Sequence, residues 1–180
     1  MKDKAIFLDR DGVINLDKGY VHKIEDLEYE KNSILGLQSL SKLGYKIIIM
    51  TNQSGVGRGI FEEKLFHYFT RHLIRELQEK GVKIERKYYY CLHHPDAGCS
   101  CRKPKPLMLQ MAANDFNLDL SQCYFIGDRG TDIEFGKNCG CKTIMVMTGK
   151  QELKETKEKP DYVAQDLLDA AQYITQNDKN

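Results

Sequence analysis

The stretch at residues 5–12 reads AIFLDRDG, and it decides how the chain is expected to fold. Four apolar residues are followed at once by Asp9, Arg10 and Asp11, and Gly12 then permits a tight turn. A short apolar run of this kind is typical of a buried strand in a parallel sheet. Further runs of the same type lie at residues 46–50, 88–90, 124–126, 143–147 and 162–164.

Segments with helical spacing of apolar residues lie between these runs. They cover residues 34–43 before Gly44, 65–77 before Gly81, 107–116, 133–138 and 167–174. Strands alternating with helices predict an α/β fold, a Rossmann-like three-layer parallel sheet with helices on both faces. We expect a single domain over residues 1–180, in which the charged stretch 150–159 is an exposed loop or frayed helix and the last few residues are disordered.

Composition excludes several classes of function. The 180 residues are 41% hydrophobic and 29% charged, with a formal net charge of +1, which does not favour nucleic acid or a membrane surface as a partner. The first apolar run is too short for a signal peptide, and no run approaches the roughly 18 apolar residues of a membrane helix. We therefore expect a cytoplasmic protein, whose six cysteines are reduced and serve as metal ligands or small buried apolar residues.

Carboxylates at the first strand end suggest phosphate chemistry, because ligands of open parallel sheets bind beyond the carboxyl ends of the strands. Asp9 could attack phosphorus and form an acyl-phosphate, while Asp11 could protonate the leaving oxygen and then activate water. Mg²⁺ would hold the carboxylates and the phosphate together. Taken alone, the pair could equally be a strand that ends in a charged turn.

Three further motifs occur along the chain, of which those at Thr51 and Asp128 directly follow predicted strands. Thr51, with residues 52–54, offers hydroxyl, amide and backbone donors to phosphoryl oxygens, and Lys103 offers a point charge to a transferring phosphoryl group. Asp128 could complete a magnesium site, whereas Asp132 could ligate the metal, hold Lys103 or cap the next helix. Each motif alone also fits a polar turn, but their order and their positions at strand ends form a specific combination.

The segment 91–101 reads CLHHPDAGCSC and contains three cysteines and two histidines. Thiolate and imidazole ligands suit tetrahedral Zn²⁺, and a closed set of four protein ligands indicates a structural ion. We predict Cys91, His93, Cys99 and Cys101 as the ligands. The alternatives are His94 in place of His93, or a loop of reduced thiols without metal.

The motif set resembles the haloacid dehalogenase superfamily of phosphohydrolases over about residues 5–150. This resemblance implies that Asp9 is the nucleophile, that Asp11 is the general acid and base, and that Thr51 and Lys103 steady the phosphoryl group. It also implies that Mg²⁺ is bound by Asp9, the backbone carbonyl of Asp11, and Asp128. The roughly forty residues between Asp9 and Thr51 leave no room for a separate cap domain.

The cysteine-rich loop is similar to that of the branch containing D-glycero-D-manno-heptose 1,7-bisphosphate phosphatases and histidinol-phosphate phosphatases. Resemblance to the heptose enzymes implies removal of a phosphate, the 7-phosphate, in heptose and lipopolysaccharide precursor synthesis, by a protein that is a monomer. It also implies sugar contacts from Asp17, Lys18, Gly19, Tyr20, Asn52, Gln53, Ser54 and Arg102.

Two other interpretations remain open at this point. Residues 127–132 look more like the histidinol-phosphate enzymes, since many heptose enzymes have Lys at the position of Arg129. However, Arg102, Lys105, Arg58 and Lys18 could bind a second phosphate, and no acidic cluster precedes Asp17 to receive an amine. A non-catalytic, zinc-stabilised binding module is the remaining alternative, against which the intact Asp9, Asp11, Lys103 and Asp128 argue.

Overall fold

A computed structural model describes residues 2–150 and 156–178, and in them six strands form one sheet. The strand order is β3-β2-β1-β4-β5-β6, and all neighbouring strands are parallel. The strands are β1 (Ala5–Leu8), β2 (Lys46–Asn52), β3 (Tyr89–Cys91), β4 (Tyr124–Gly127), β5 (Lys142–Val146) and β6 (Tyr162–Ala164). The predicted fold class is confirmed.

Helices connect the strands and cover both faces of the sheet. The α-helices within the described ranges are α1 (Ser33–Leu40), α2 (Ser54–Gly57), α3 (Glu63–Glu79), α4 (Leu107–Phe116), α5 (Gly130–Asn138) and α6 (Leu167–Asn177). Short 3-10 turns occur at Ile24–Asp26, Pro95–Ala97 and Leu120–Gln122. No helix of residues 2–150 or 156–178 is long and apolar enough to span a membrane.

Two apolar clusters sandwich the sheet, because successive side chains of a strand point to opposite faces. Ile6 and Leu8 of β1 pack in one cluster with residues of α1, α3 and α6. Ala5 and Phe7 pack in the other, with residues of α4 and α5. The central strand is thus buried on both sides, which explains its uninterrupted apolar sequence.

Several boundaries differ from the sequence prediction. β2 continues to Asn52, because Thr51 and Asn52 pair with Tyr90 and Cys91 of β3. The two predicted site residues therefore form the end of the strand instead of following it. α1 ends at Leu40 and not just before Gly44, since the Leu43 N–H donates to the Leu40 carbonyl and tightens the last turn.

The sequence analysis missed α2, whose two glycines are poor helix formers. These glycines permit close packing instead. A Cβ atom on Gly55 would lie 2.3 Å from Phe61, and one on Gly57 would lie 2.3 Å from the backbone nitrogen of His94. Tertiary packing therefore stabilises a helix that local propensity disfavours.

The strand order reverses beside β1, which gives the position of the site. From β1 the chain proceeds to β2 and β3 on one side, and β4 then returns to the other side of β1. Such a switch point opens a crevice at the carboxyl ends of the two strands. Of the charged stretch 150–159 and the last residues, 151–155 and 179–180 lie outside the described residues.

Candidate active site

A buried lysine lies between two carboxylates at the switch point. Lys103 Nζ is 2.9 Å from Asp9 Oδ2, directly after β1, and 2.7 Å from Asp132 Oδ1 on α5. Burial raises the pKa of the Asp9 carboxyl, and Lys103 opposes that shift. Burial alone would lower the pKa of Lys103, but the carboxylates of Asp132 and Asp9 raise it above the usual value. The site therefore contains a cation where phosphoryl chemistry needs one.

The end of β2 fixes the backbone of Lys103. The Lys103 N–H donates to Asn52 Oδ1 over 3.1 Å, and Asn52 Nδ2 donates to the Lys103 carbonyl over 3.3 Å. The Lys103 ammonium also donates to the Met50 carbonyl over 3.2 Å. A lysine distant in sequence from Asp9 is thereby held against the strand that neighbours β1.

Asp11 is held by donors from several directions. Its carboxylate accepts hydrogen bonds from Arg10 Nη2 at 2.9 Å, Asn15 Nδ2 at 2.8 Å and Gln53 Nε2 at 2.6 Å. Arg10 is fully buried, and its guanidinium also donates to the Val21 carbonyl over 2.8 Å. The sequence analysis gave Arg10 no role, although a cation between two carboxylates after a buried strand was the available signal.

Asp128 follows β4 and is completely buried. Its Oδ2 accepts the Lys150 N–H over 2.8 Å, whereas Oδ1 has no hydrogen-bond partner among residues 2–150 and 156–178. Burial, followed by the nearby carboxylates of Asp132 and Asp9, raises the pKa of Asp128 to about 7. A buried carboxylate oxygen without a donor is costly unless a cation is bound there.

The chemistry of the donors suits magnesium. One carboxylate oxygen each of Asp9, Asp128 and Asp132 lies within 4.8 Å of the others. Hard oxygen ligands are those that Mg²⁺ prefers, and the unpartnered Asp128 oxygen gives such an ion a place to bind. Asp132 combines two of the three roles left open for it, since it contacts Lys103 and its Oδ2 accepts the Arg129 N–H at the start of α5.

Glycines make room for the Asp128 carboxylate. A Cβ atom on Gly12 would lie 2.6 Å from Asp128 Oδ2, and one on Gly149 would lie 2.0 Å from the same oxygen. Gly12 also has a φ of +82°, which disfavours any other residue. The turn after Asp11 and the loop after β5 can therefore approach Asp128 this closely only because Gly12 and Gly149 have no side chains.

The four predicted zinc ligands lie together beside this site. Cys91 Sγ is 3.6 Å from both Cys99 Sγ and His93 Nδ1, and His93 Nδ1 is 3.2 Å from Cys101 Sγ. Two of these separations match, and the third is a few tenths of an ångström below, the roughly 3.5–3.8 Å between ligands of a tetrahedral zinc ion, given the usual Zn–S and Zn–N bond lengths. The thiols and imidazole therefore fit zinc. His94 Nδ1 accepts the Asp96 N–H instead.

A cleft of about 600 Å³ opens over the carboxylates. Of the predicted substrate contacts, it is lined by Asp17, Gly19, Tyr20, Asn52, Gln53, Ser54 and Arg102. Lys18 is not among the lining residues, and its Nζ lies 2.6 Å from Glu28 Oε1. Its side chain therefore projects away from the position that the sequence analysis expected.

Asp17 is engaged by two cations of the cleft wall. Its Oδ2 lies 2.8 Å from Arg129 Nη2 and 3.0 Å from Lys150 Nζ. Burial opposes ionisation, but the Gly19 N–H and Lys150, followed by Arg129, hold the pKa of Asp17 below its usual value. Sequence reasoning gave Lys150 no role, and no local signal connects it to Asp17.

Three further cations line the cleft. Arg58, Arg102 and Lys105 line it, and the buried Arg102 Nη1 has no hydrogen-bond partner within the described residues. Lys105 donates to the Gly98 carbonyl over 3.2 Å. A buried guanidinium nitrogen without an acceptor points to an anionic ligand.

Fold and site together define a class of phosphate-processing α/β hydrolase. A family model described as HAD-hydrolase-like matches residues 100–170, which include Lys103, Asp128 and Asp132. The crystal structure of D,D-heptose 1,7-bisphosphate phosphatase from B. bronchiseptica, complexed with magnesium and phosphate, is similar with a TM-score of 0.88. It is 29% identical, with coverage of 97% of this chain and 99% of that one.

Relatives with curated names show which family of these hydrolases the chain belongs to. The D-glycero-beta-D-manno-heptose-1,7-bisphosphate 7-phosphatase of Pasteurella multocida is 39% identical, over 95% of this chain and 96% of its own. The corresponding Escherichia coli K12 protein is 38% identical over 97% and 95%. A Photorhabdus laumondii protein named for the alpha anomer is 42% identical over 82% and 85%. The chain belongs to this family of heptose bisphosphate phosphatases and is a phosphoric monoester hydrolase, which confirms the resemblance inferred from the motifs.

Proposed function

We propose that this chain removes the 7-phosphate from D-glycero-D-manno-heptose 1,7-bisphosphate with magnesium, in the synthesis of heptose precursors of lipopolysaccharide. The named activities of the relatives support this substrate, and the magnesium and phosphate of the B. bronchiseptica structure support the chemistry. The observation that carries the proposal is one cleft lined by the ion pair of Asp9 and Lys103 and by Arg102, whose buried Nη1 has no acceptor in the described part of the chain.

The residues at the base provide the groups for two-step phosphoryl transfer. Asp9 attacks phosphorus, the bond to the sugar oxygen breaks, and Asp11 supplies the proton that this oxygen takes. Asp11 then removes a proton from water as the water attacks the aspartyl-phosphate, which returns Asp9 and releases phosphate. Lys103 and Thr51 bind the transferring oxygens, and Lys103 keeps its charge between Asp9 and Asp132.

Magnesium would be held by Asp9, the backbone carbonyl of Asp11, and Asp128. When bound, it neutralises charge on the phosphoryl oxygens. The protein's contribution is a prearranged set of carboxylates, in which Asp128 is oriented by the Lys150 N–H and enclosed by Gly12 and Gly149. The histidine and thiols of the loop 91–101 would bind zinc with four protein ligands, which leaves no position for substrate.

The cleft wall favours a bisphosphate over histidinol phosphate. Arg102, Arg58 and Lys105 would receive the second phosphate. Histidinol phosphate carries an amine, which requires a free carboxylate near the entrance, but Asp17 is already paired with Arg129 and Lys150. The sugar would contact Asp17, Gly19 and Tyr20 on one side and residues 52–54 on the other.

Three broader expectations belong to the same proposal. The zinc site requires reduced thiols, which favours the cytoplasm. The chain would act as one phosphatase domain in which the zinc loop is an insertion beside the cleft. A monomeric state stays a prediction.

The substrate is tested by steady-state kinetics with magnesium on both anomers of heptose 1,7-bisphosphate, on heptose 7-phosphate and on histidinol phosphate. We expect the highest kcat/KM for a bisphosphate anomer. Arg102→Gln should lower kcat/KM about tenfold or more for the bisphosphate and much less for heptose 7-phosphate, because it removes a charge-assisted contact to the 1-phosphate. A higher kcat/KM for histidinol phosphate would refute the assignment, and an equal loss on both sugars would refute the role of Arg102.

A further inference from the structure

Gln53 joins two catalytic groups through one side-chain amide. Its Nε2 donates to Asp11 Oδ2 over 2.6 Å and to Thr51 Oγ1 over 2.9 Å. The residue is buried, with 4% of its surface exposed. An amide hydrogen bond in such surroundings restricts the position of its acceptor more than one at the surface does.

The backbone of Gln53 is hydrogen-bonded to the loop 91–101, which contains the proposed zinc ligands. The Gln53 N–H donates to the carbonyl of Cys91, a proposed zinc ligand, over 2.7 Å. The following helix, α2, packs backbone to backbone on this loop, since a Cβ atom on Gly57 would lie 2.6 Å from the carbonyl oxygen of Leu92. A displacement of the loop at Cys91 would therefore move Gln53 directly.

The other donors to Asp11 in the described part of the chain restrain it from different directions. Asn15 belongs to the same turn as Asp11 and moves with it, whereas Arg10 is held by the Val21 carbonyl and by Thr70 on α3. Gln53 is the donor that comes from the neighbouring strand β2. It therefore restrains the Asp11 carboxylate on the side where a phosphate would bind between β1 and β2.

We propose that Gln53 is a positioning residue that transmits the order of the zinc loop to Asp11. Its backbone is fixed by Cys91, and its amide holds the carboxylate where the leaving oxygen receives its proton. Loss of zinc would therefore impair the transfer of a proton from Asp11 to the leaving oxygen. This effect is separate from any displacement of Lys103, which lies two residues after the proposed ligand Cys101. This inference rests on the proposed phosphatase function.

The test is the dependence of kcat/KM on the leaving group, measured with simple aryl and alkyl phosphates that have no sugar for Gln53 to contact. A nitrophenolate leaves without a proton, whereas an alkoxide needs one. Gln53→Met keeps the side-chain length and the backbone N–H but removes the amide. We expect the alkyl esters to lose about tenfold more kcat/KM than p-nitrophenyl phosphate. The plot of log kcat/KM against the pKa of the leaving group, whose gradient is called the slope below, then becomes steeper. Loss of the Thr51 contact lowers all esters alike and leaves the slope unchanged.

Gln53→Glu provides a second variant of the same length, which removes the amide donor and places a second carboxyl group beside Asp11. The matched control is Gln78→Met, since Gln78 Nε2 donates to the Ile84 carbonyl away from the cleft. It should have wild-type kinetics. Wild-type protein stripped of zinc and resupplied with magnesium should show the steep slope, and Gln53→Met should add little to it because the two changes interrupt one connection.

The outcomes separate the two proposals. Wild-type protein that hydrolyses no phosphate ester would overturn the proposed function, and this inference with it. An active wild type whose slope is unchanged in both Gln53→Met and Gln53→Glu would overturn the positioning role alone. A zinc-free protein with a shallow slope would overturn the connection to the metal loop.

Discussion

Replacing Lys103 by methionine should strongly destabilise the fold, because it leaves two buried carboxylates without their shared cation. The Lys103 side chain is 2% exposed, with Nζ 2.9 Å from Asp9 and 2.7 Å from Asp132. Removing one partner of a buried ion pair costs about 3–5 kcal/mol. Methionine retains the apolar stem, so the loss is electrostatic. Proton uptake by Asp9, whose pKa burial already raises, limits the cost, and we expect about 4 kcal/mol.

The measurement is urea unfolding at neutral pH in magnesium-free buffer, so that no added cation compensates for the lost charge. The matched control is Lys105→Met, since Lys105 Nζ donates to the Gly98 carbonyl in an exposed bond. That variant should lose less than about 1 kcal/mol. A Lys103→Met variant within about 1 kcal/mol of wild type would show that the carboxylates are protonated or hydrated without the lysine, and would refute the reasoning.

Three further predictions concern the reaction and the metals. Asp9→Asn should abolish phosphate release while the chain still folds, because Asp132 continues to pair with Lys103, and normal turnover would exclude Asp9 as nucleophile. Gly149→Ala places a Cβ atom 2.0 Å from Asp128 Oδ2, so the magnesium concentration for half-maximal activity should rise about tenfold, and an unchanged value would separate Asp128 from the metal. Cys101→Ser should lose about one equivalent of zinc by elemental analysis and bind substrate more weakly while still requiring magnesium; unchanged zinc content and kinetics would contradict a zinc site.

Local patterns were sufficient for much of the fold. The apolar run before Asp9 predicted β1 at its observed bounds, because a strand buried on both faces needs only a continuous apolar sequence. The helical spacing of apolar residues predicted α3, and the alternation of strands and helices predicted the parallel sheet. Four candidate zinc ligands could be chosen because they lie within eleven residues, so their grouping depends on one loop.

The partners of each site residue were decided by tertiary structure. The sequence left three roles open for Asp132, and only the approach of α5 to Lys103 shows that it holds this lysine while accepting the Arg129 N–H. Asp17 was predicted to contact the sugar and lines the cleft, and the crossing of distant loops also pairs it with Arg129 and Lys150. The contacts of Asp17 join residues more than a hundred positions apart, and no local pattern specifies which side chains meet.

The sequence by itself therefore determined the kind of chemistry, since the residue types and their positions at strand ends follow from local pattern. It could not show that Gln53 joins Asp11 to the loop that begins at Cys91, or that the buried Arg10 donates to the same carboxylate. These arrangements arise where β1, β2 and β3 lie side by side. Their geometry depends on the packing of the whole sheet, because hydrogen bonds between strands form only once the register of those strands is set.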